Sequence, residues 1–250
     1  IAARPRQLSV TQVEKWMRDP YSIYALHILK LRPLDPLDTD PKAADYGSFV
    51  HHALDLFLKE MDGELPPDAF ERLLAAGRRA LGNILDSPGV RAFWWPRFER
   101  IARWFVCEER ARRERVRRTM SEVRGQLQFD APAGAFTLTA TADRIDLLAD
   151  GSLTIVDYKT GLPPTKREVA SGFAPQLPLE AAIAAAGCFE DVAGTRIGAL
   201  EYWQLTGDEP AGKCAPAGGD PHQLMQSAMA GLQQLVAVFD RPDDVLGAES

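Results

Sequence analysis

The chain has 250 residues, 46% of them hydrophobic and 26% charged, a composition that excludes disordered, collagen-like and disulfide-rich proteins. Its three cysteines are widely spaced and form no Cys-x-x-Cys pair, so neither a structural zinc site nor a secreted disulfide framework is expected, and a cytoplasmic location is favoured. No apolar run is long enough to span a bilayer, and no signal peptide is recognisable. Because the chain starts at Ile1 rather than Met, we expect a fragment of a longer protein.

The formal net charge of −6 argues weakly against a nucleic-acid partner, but the charge is unevenly distributed. Ten Arg and five Glu lie between Arg97 and Arg124, so an acidic average can hide a basic face. The alternation of Glu and Arg over Glu108–Arg118 is typical of a solvated helix held by ion pairs four residues apart. Alternatively, the arginines of this region follow the backbone of DNA.

Helical signals dominate the first 120 residues. Ser9 or Thr11 can cap a first helix, Pro20 interrupts it, and prolines mark an irregular connection over Leu31–Asp45. Apolar residues at helical spacing predict further helices over Tyr21–Leu31, Tyr46–Met61, Asp68–Leu85 and Val90–Met120.

After Met120 the hydrophobic period changes from helical to alternating, which predicts β-strands. The strands cluster rather than alternate with helices throughout, so the fold class is a mixed α/β (α+β) protein. Three strands are predicted over Glu122–Phe129, Phe136–Leu148 and Leu153–Tyr158, followed by a helix over Pro175–Ala186, a strand over Ile197–Leu205 and a helix over His222–Phe239.

Asp157 and Lys159 are two residues apart on a predicted strand, so their side chains share a face. The pair follows the apolar run of the strand, and burying it is costly unless the charges are paired or bind a cation. A three-residue loop at Ala149–Gly151 places Asp143 opposite Asp157 and turns Asp146 to the other face. A two-residue loop would exchange the roles of the two acids, and we favour the first arrangement.

Two carboxylates facing each other repel, and oxygen ligands held in this way suit Mg²⁺ or Mn²⁺. Lys159 beside them can orient a water or stabilise negative charge, so the group suits displacement at phosphorus. His51, one helical turn after Gly47, is a further candidate ligand, and His52 competes with it. The alternative is a salt bridge on a solvent-facing hairpin beside a histidine that only caps or packs.

Four sequence blocks resemble, in order, the motifs of the PD-(D/E)XK nuclease superfamily, and most closely those of RecB-like nuclease domains. Further blocks resemble the C-terminal nuclease of AddB-type subunits, which belong to AddAB helicase–nucleases that resect double-strand DNA ends. The four blocks are Gly47…His51, Ala142–Asp146, Val156–Gly161 and Gln176–Glu180, and the further ones are Val10–Trp16, Leu31–Pro36 and Ala174–Ala181.

This resemblance implies a restriction-endonuclease-like core of helix, three antiparallel strands, helix and strand. The implied domain occupies residues 46–240 with a helical insertion at about 64–120. It is flanked by an N-terminal helical segment at 1–45 and an acidic tail at 241–250. The implied activity is that of a Mg²⁺- or Mn²⁺-dependent deoxyribonuclease, an exonuclease of the RecB-like type. Its implied partners are a single-stranded DNA end and an AddA-type helicase–nuclease subunit. No membrane partner is implied.

The resemblance also implies roles for single residues. His51, Asp143 and Asp157 would coordinate the metal together with the backbone carbonyl of Tyr158. Lys159 would position the attacking water and stabilise the pentacovalent phosphate.

Outside this set, Gln176 would support the site or the DNA strand, and Arg144 is a candidate for DNA binding or site support. Lys166 and Arg167 lie in the loop that follows the predicted strand Leu153–Tyr158, and we expect them to contact phosphates.

Two departures from the family pattern limit what is carried over. Glu180 stands where many RecB-like domains have an aromatic residue, so no aromatic role is expected there. Many AddB proteins hold an iron–sulfur cluster through four cysteines, one ahead of the nuclease helix and three after the last motif. This chain has only three cysteines, and Asp19 stands at the position of the first cluster cysteine. No cluster is therefore expected. The alternative function is a catalytically inactive nuclease-like fold that binds DNA or a partner protein, against which the complete His/Asp/Asp/Lys set argues.

Overall fold

The computed structural model describes residues 4–31, 43–61, 63–82 and 88–241. The N-terminal part comprises β1 (Gln7–Ser9), α1 (Val10–Arg18), α2 (Pro20–Ile23) with a π-helical turn at Tyr24–Ile28, α3 (Ala43–Lys59), α4 (Ala69–Leu81), and a π-helical turn at Val90–Trp94 that leads into α5 (Trp95–Arg112). The remainder comprises β2 (Val116–Phe129), β3 (Phe136–Leu148), β4 (Leu153–Lys159), α6 (Lys166–Ala170), α7 (Gln176–Ala185), β5 (Ile197–Gln204), β6 (Lys213–Pro216) and α8 (Pro221–Phe239).

The strands form one mixed sheet in the order β1-β3-β4-β5-β6, with β2 paired to β3. Strands β2, β3 and β4 are antiparallel, β5 is parallel to β4, and β1 is parallel to β3. The predicted order of three antiparallel strands, a helix and a strand is therefore confirmed. The short strands β1 and β6 were not predicted, because three or four residues are too few to show an alternating pattern.

Two hydrophobic cores lie on opposite faces of the sheet. One packs α1, α7 and α8 against residues such as Ile155, and the other packs α3, α4 and α5 against residues such as Val156. The alternation of adjacent strand residues between the two cores explains why β4 reads as a continuous apolar run. A sheet covered by helices on both faces leaves polar side chains in its interior only where they are paired.

The prediction of a helix over Val90–Met120 is wrong beyond Arg112, and the prediction of a solvated helix over Glu108–Arg118 is wrong with it. Val116 begins β2, which pairs with β3 over most of its fourteen residues. Long-range pairing overrides the helical preference of the arginines. Glu109 and Arg112 are buried rather than solvated.

The predicted hairpin register is confirmed. Arg144 pairs with Val156, and the Leu148 amide donates to the Ser152 carbonyl at 2.8 Å. Gly151 has a φ of 80°, the left-handed conformation that this loop requires. Continued by one residue, the register places Asp143 beside Asp157.

Other predictions fall partly outside the described residues. These are the irregular connection over Leu31–Asp45, the end of the helix over Asp68–Leu85, and the acidic tail at 241–250, of which only Arg241 is described.

Two helical glycines provide a matched test of the packing between α4 and α5. A Cβ at Gly77 would lie 2.2 Å from Cε1 of the completely buried Phe98, whereas a Cβ at Gly231 in α8 would meet no atom within 4 Å. We expect Gly77→Ala to lower the free energy of unfolding by about 1–3 kcal/mol through overpacking. Gly231→Ala should raise it by up to about 1 kcal/mol, because alanine is the better helix former. Urea denaturation measures both, and equal changes in the two variants would contradict this packing.

Candidate metal centre

Asp143 lies where β3 and β4 separate. Its Oδ2 accepts a hydrogen bond from the backbone amide of Tyr158 at 2.8 Å, which takes the place of a strand-to-strand bond. Its Oδ1 lies 3.3 Å from Nδ1 of His51 on α3. A carboxylate held at both oxygens by different elements has a defined position, as a ligand to a cation requires.

Gly47 allows α3 to approach this point closely, because a Cβ there would lie 3.1 Å from Oγ1 of Thr160. His51, one turn further on, therefore reaches Asp143, and the edge of its ring packs on Tyr158 with the ring centroids 5.8 Å apart. His52, the neighbouring residue, is exposed. Of the two histidines that the sequence offered, the structure brings His51 to the acid.

Glu122 is a member of the site that the sequence analysis missed. One ligand atom each from His51, Glu122 and Asp143 lie within 4.8 Å of one another, a spacing that suits a single metal ion. Glu122 has a φ of 50° and stands opposite Asp143 in the break between the pairs Ser121–Arg144 and Val123–Ala142. This local irregularity of the edge strand β2 turns the carboxylate toward the site.

Asp157 is buried and bonded to the two polar side chains expected near it. Its Oδ1 accepts hydrogen bonds from Nζ of Lys159 at 2.9 Å and from Nε2 of Gln176 at 2.8 Å, and Nζ lies 2.7 Å from Oδ2. Asp157 is not part of the group of three ligand atoms around Asp143, since its carboxylate is turned toward Lys159. The arrangement keeps an ammonium at the edge of the acidic group.

Glu180 is also buried within this group. Its Oε1 accepts a hydrogen bond from Nε2 of Gln176 at 3.1 Å, while Oε2 has no partner among the described residues. Burial and the charges of Asp157 and Asp143 hold the pKa of Glu180 well above its usual value. Sequence spacing indicates this contact only in retrospect, since Gln176 and Glu180 are four apart on α7.

The electrostatics of the site reflect an excess of buried negative charge. Burial and the nearby Asp143 raise the pKa of Asp157 to about 7. Burial alone would lower the pKa of His51, but its hydrogen bond to Asp143 and the charges of both acids raise it. Burial likewise lowers the pKa of Lys159, but the neighbouring Asp157 has the larger effect, and the pKa of Lys159 is raised. Both cationic groups are thus favoured in their charged forms.

The remaining predicted residues lie around this centre. Tyr158, whose carbonyl is the expected ligand, has its ring buried in the core on the other side of the sheet. Arg144 is completely buried and ion-paired with Glu109 and Asp146, so its guanidinium cannot contact DNA, and of its two expected roles only support remains.

Lys166 and Arg167 were expected in a loop. They are exposed and form the first turn of α6, which Thr165 caps.

The site opens into a cavity of about 610 Å³. Its lining includes Gly47, His51, His52, Asp55, Glu122 and Arg124. An open, polar cavity beside a buried acidic group gives a charged substrate access to the candidate ligands.

Comparison with known proteins identifies the family. Residues 7–244 match the family model of the PD-(D/E)XK nuclease superfamily, and the chain belongs to this superfamily. A protein of Rickettsia bellii described as uncharacterized is 33% identical over 176 residues, which cover 70% of this chain and 21% of that protein. An ATP-dependent helicase/deoxyribonuclease subunit of Clostridium perfringens is 29% identical over 178 residues, which cover 62% of this chain and 15% of that protein. The chain thus spans about a fifth or less of these relatives.

Across the residues that the structure describes, no helix has the length and apolar character needed to cross a membrane.

Substitutions at Asp143 and Asp146 separate metal binding from folding. Asp146 is completely buried and its oxygens accept from Arg112, Thr119 and Arg144, whereas Asp143 faces His51. We expect Asp143→Asn to lower the Mn²⁺ affinity by about tenfold or more in calorimetric titration. Asp146→Asn should leave that affinity unchanged but lower the thermal midpoint, because it leaves buried guanidinium charge uncompensated. The opposite pattern would contradict the assignment.

Proposed function

We propose that this chain is a metal-dependent deoxyribonuclease domain that hydrolyses phosphodiester bonds in DNA. The observation that carries the proposal is the meeting of His51, Glu122 and Asp143 beside the Asp157–Lys159 pair. Membership of a nuclease superfamily supports the same chemistry.

The residues present fit a divalent cation. We propose His51, Glu122 and Asp143 as its ligands, because carboxylate oxygens and an imidazole that loses its proton on binding suit Mg²⁺ or Mn²⁺. The predicted ligands Asp157, which is bonded to Lys159 and Gln176, and the carbonyl of Tyr158 remain proposals beside these three. The raised pKa of Asp157 is a sign of missing positive charge at this point, and so is the buried Oε2 of Glu180, which has no partner in the described part of the chain. When bound, the ion supplies charge that polarises the phosphodiester and activates a water.

Lys159 serves as a hydrogen-bond donor rather than as a base. Its pKa is raised beside Asp157, so its Nζ carries a proton at neutral pH and can accept none. An ammonium held 2.7 Å from Asp157 Oδ2 can donate to the attacking water or to a phosphoryl oxygen on which negative charge develops. Gln176 fixes this geometry, because it donates to Asp157 and its Oε1 lies 3.4 Å from Nζ of Lys159.

The biological setting we propose is DNA end resection in the cytoplasm. The similarity to the helicase/deoxyribonuclease of Clostridium perfringens supports this, as does the order of the motifs. The domain would then receive a single-stranded end from an AddA-type helicase–nuclease partner and act on it as an exonuclease. Lys166 and Arg167, exposed at the start of α6, are proposed phosphate contacts. That no iron–sulfur cluster is present stays a prediction.

Cleavage of a single-stranded oligonucleotide labelled at either end tests this function. In Mn²⁺ we expect the wild-type chain to release short products, and Lys159→Ala to lower the rate by about 100-fold or more while the fold is kept. Lys213→Ala is the matched control, because this exposed lysine on β6 lines neither the site nor its cavity. A wild-type chain that binds DNA without cutting it would favour the inactive alternative, and an active Lys159→Ala would remove the role given to this residue.

A further inference from the structure

A second cavity of about 780 Å³ adjoins the candidate metal centre. We call it the β2 groove; it runs along the first half of β2, between the end of α3 and the segment 190–193. Its basic lining residues are Lys59, Arg113, Arg117, Arg118 and Arg124. Lys59, Glu122 and Arg124 line both this groove and the cavity of the metal centre, so the two spaces are continuous.

The charge of the groove is available for binding. Arg117 and Arg124 are exposed, and the described residues offer neither an ion-pair partner. Arg118 is exposed, and among the described residues its guanidinium reaches only the carbonyl of Asp191, at 3.4 Å. Among the basic residues, Lys59 and Arg113 are the paired ones. Unpaired guanidinium groups at a concave surface attract a polyanion.

Acidic residues do not cancel this charge. Glu190 and Asp191 lie on the segment 190–193, where the Glu190 amide donates to the Arg124 carbonyl at 2.9 Å, and Glu122 belongs to the candidate metal site itself. Among the described lining residues, three basic side chains without an ion-pair partner therefore face two acidic ones that are not assigned to the cation.

Apolar side chains also line the groove, namely Leu58, Met61, Met120, Val123 and Leu147, of which Met61 and Leu147 are half-buried and the others buried. Apolar surface beside basic side chains suits an unpaired strand, whose bases are free to contact it while its phosphates meet the arginines. In a duplex the bases face each other, so this apolar surface would gain nothing from them.

We infer that the β2 groove binds several nucleotides of single-stranded DNA on one side of the scissile phosphate. The inference rests on the proposed function and adds to it the path of the substrate strand. Arg124 would meet the strand at the mouth of the metal centre, and Arg117 and Arg118 would hold phosphates further from the cut.

The experiment measures binding separately from cutting. Affinity for a fluorescent 20-nucleotide single strand is measured without divalent metal over a series of salt concentrations, for the wild-type chain and for Arg117→Glu/Arg118→Glu. We expect the double variant to bind about tenfold more weakly or worse, and the slope of log affinity against log salt to fall by about 1.4, the loss of two single-strand phosphate contacts. Arg117→Gln/Arg118→Gln should give an intermediate loss.

The matched control is Arg78→Glu/Lys213→Glu, which makes the same change in net charge at exposed sites that line neither cavity. It should leave the slope unchanged. A wild-type chain that does not bind, a groove variant that binds normally, or a control that loses as much affinity would overturn the inference. Equal binding and equal loss with a duplex of the same sequence would overturn the assignment of a single strand.

Cleavage in Mn²⁺ is then assayed with the wild-type chain. Binding through the groove without cleavage would leave the inference standing and refute the proposed nuclease. If the wild-type chain cleaves DNA and the groove variant binds it with unchanged affinity, the proposed nuclease would stand and the inference about the β2 groove would be refuted.

Discussion

The repulsion between Asp143 and Asp157 is the constraint around which this domain is organised. The hairpin register sets these acids side by side where β3 and β4 separate, and Glu122 and Glu180 bring two further carboxyl groups to the same point. Neighbouring elements partly compensate these carboxylates. The imidazole of His51 comes from α3, the ammonium of Lys159 and the backbone amide of Tyr158 come from β4, and the side-chain amide of Gln176 comes from α7. The four acidic groups still outnumber the two cationic ones, and a divalent cation is the simplest group that would compensate them.

The opposite face of the same strands solves a similar problem with protein groups alone. Arg144 and Arg112 meet Glu109 and Asp146 there, and both guanidiniums lie over the ring of Trp203, with Cζ 5.0 and 4.9 Å from its centroid. A buried ion-pair network of this kind is costly to break by removing one member. Because adjacent strand residues alternate between faces, this network anchors the backbone that carries Asp143 from the face opposite the candidate metal centre.

Much of the site could be predicted from local sequence signals. The loop Ala149–Gly151 decided the register and hence the choice of Asp143 over Asp146, and Gly47 marked the helix that presents His51. Glu122 and Glu180 escaped prediction for a physical reason. The partners of Glu122 follow from the pairing of β2 with β3 and a break in that pairing, whereas those of Glu180 follow from how α7 packs on the sheet.

The arginine-rich segment shows the limit of periodicity as a guide. Its Glu and Arg pattern is that of a helix, yet only α5 is helical, and β2 begins at Val116 because β3 offers it a partner. The periodicity predicted that these basic residues lie on a solvated helix. In the structure several of them lie on the edge strand β2, beside the candidate metal centre. A strand and a helix present the same arginines to different surroundings, and only the long-range pairing decides between them.

The stability of Asp157→Asn, compared with that of the wild-type chain in the absence of metal, tests the central claim most directly. The pKa of Asp157 is about 7 in the folded chain and that of a free aspartate is 3.8, so the folded state binds the extra proton between these values and stability falls as the pH rises through this window. We predict that at pH 8 the metal-free variant unfolds at a higher urea concentration than the wild type, that the difference shrinks by pH 5, and that Mn²⁺ stabilises only the wild type strongly. A wild-type chain that is the more stable of the two at pH 8 without metal would contradict the account.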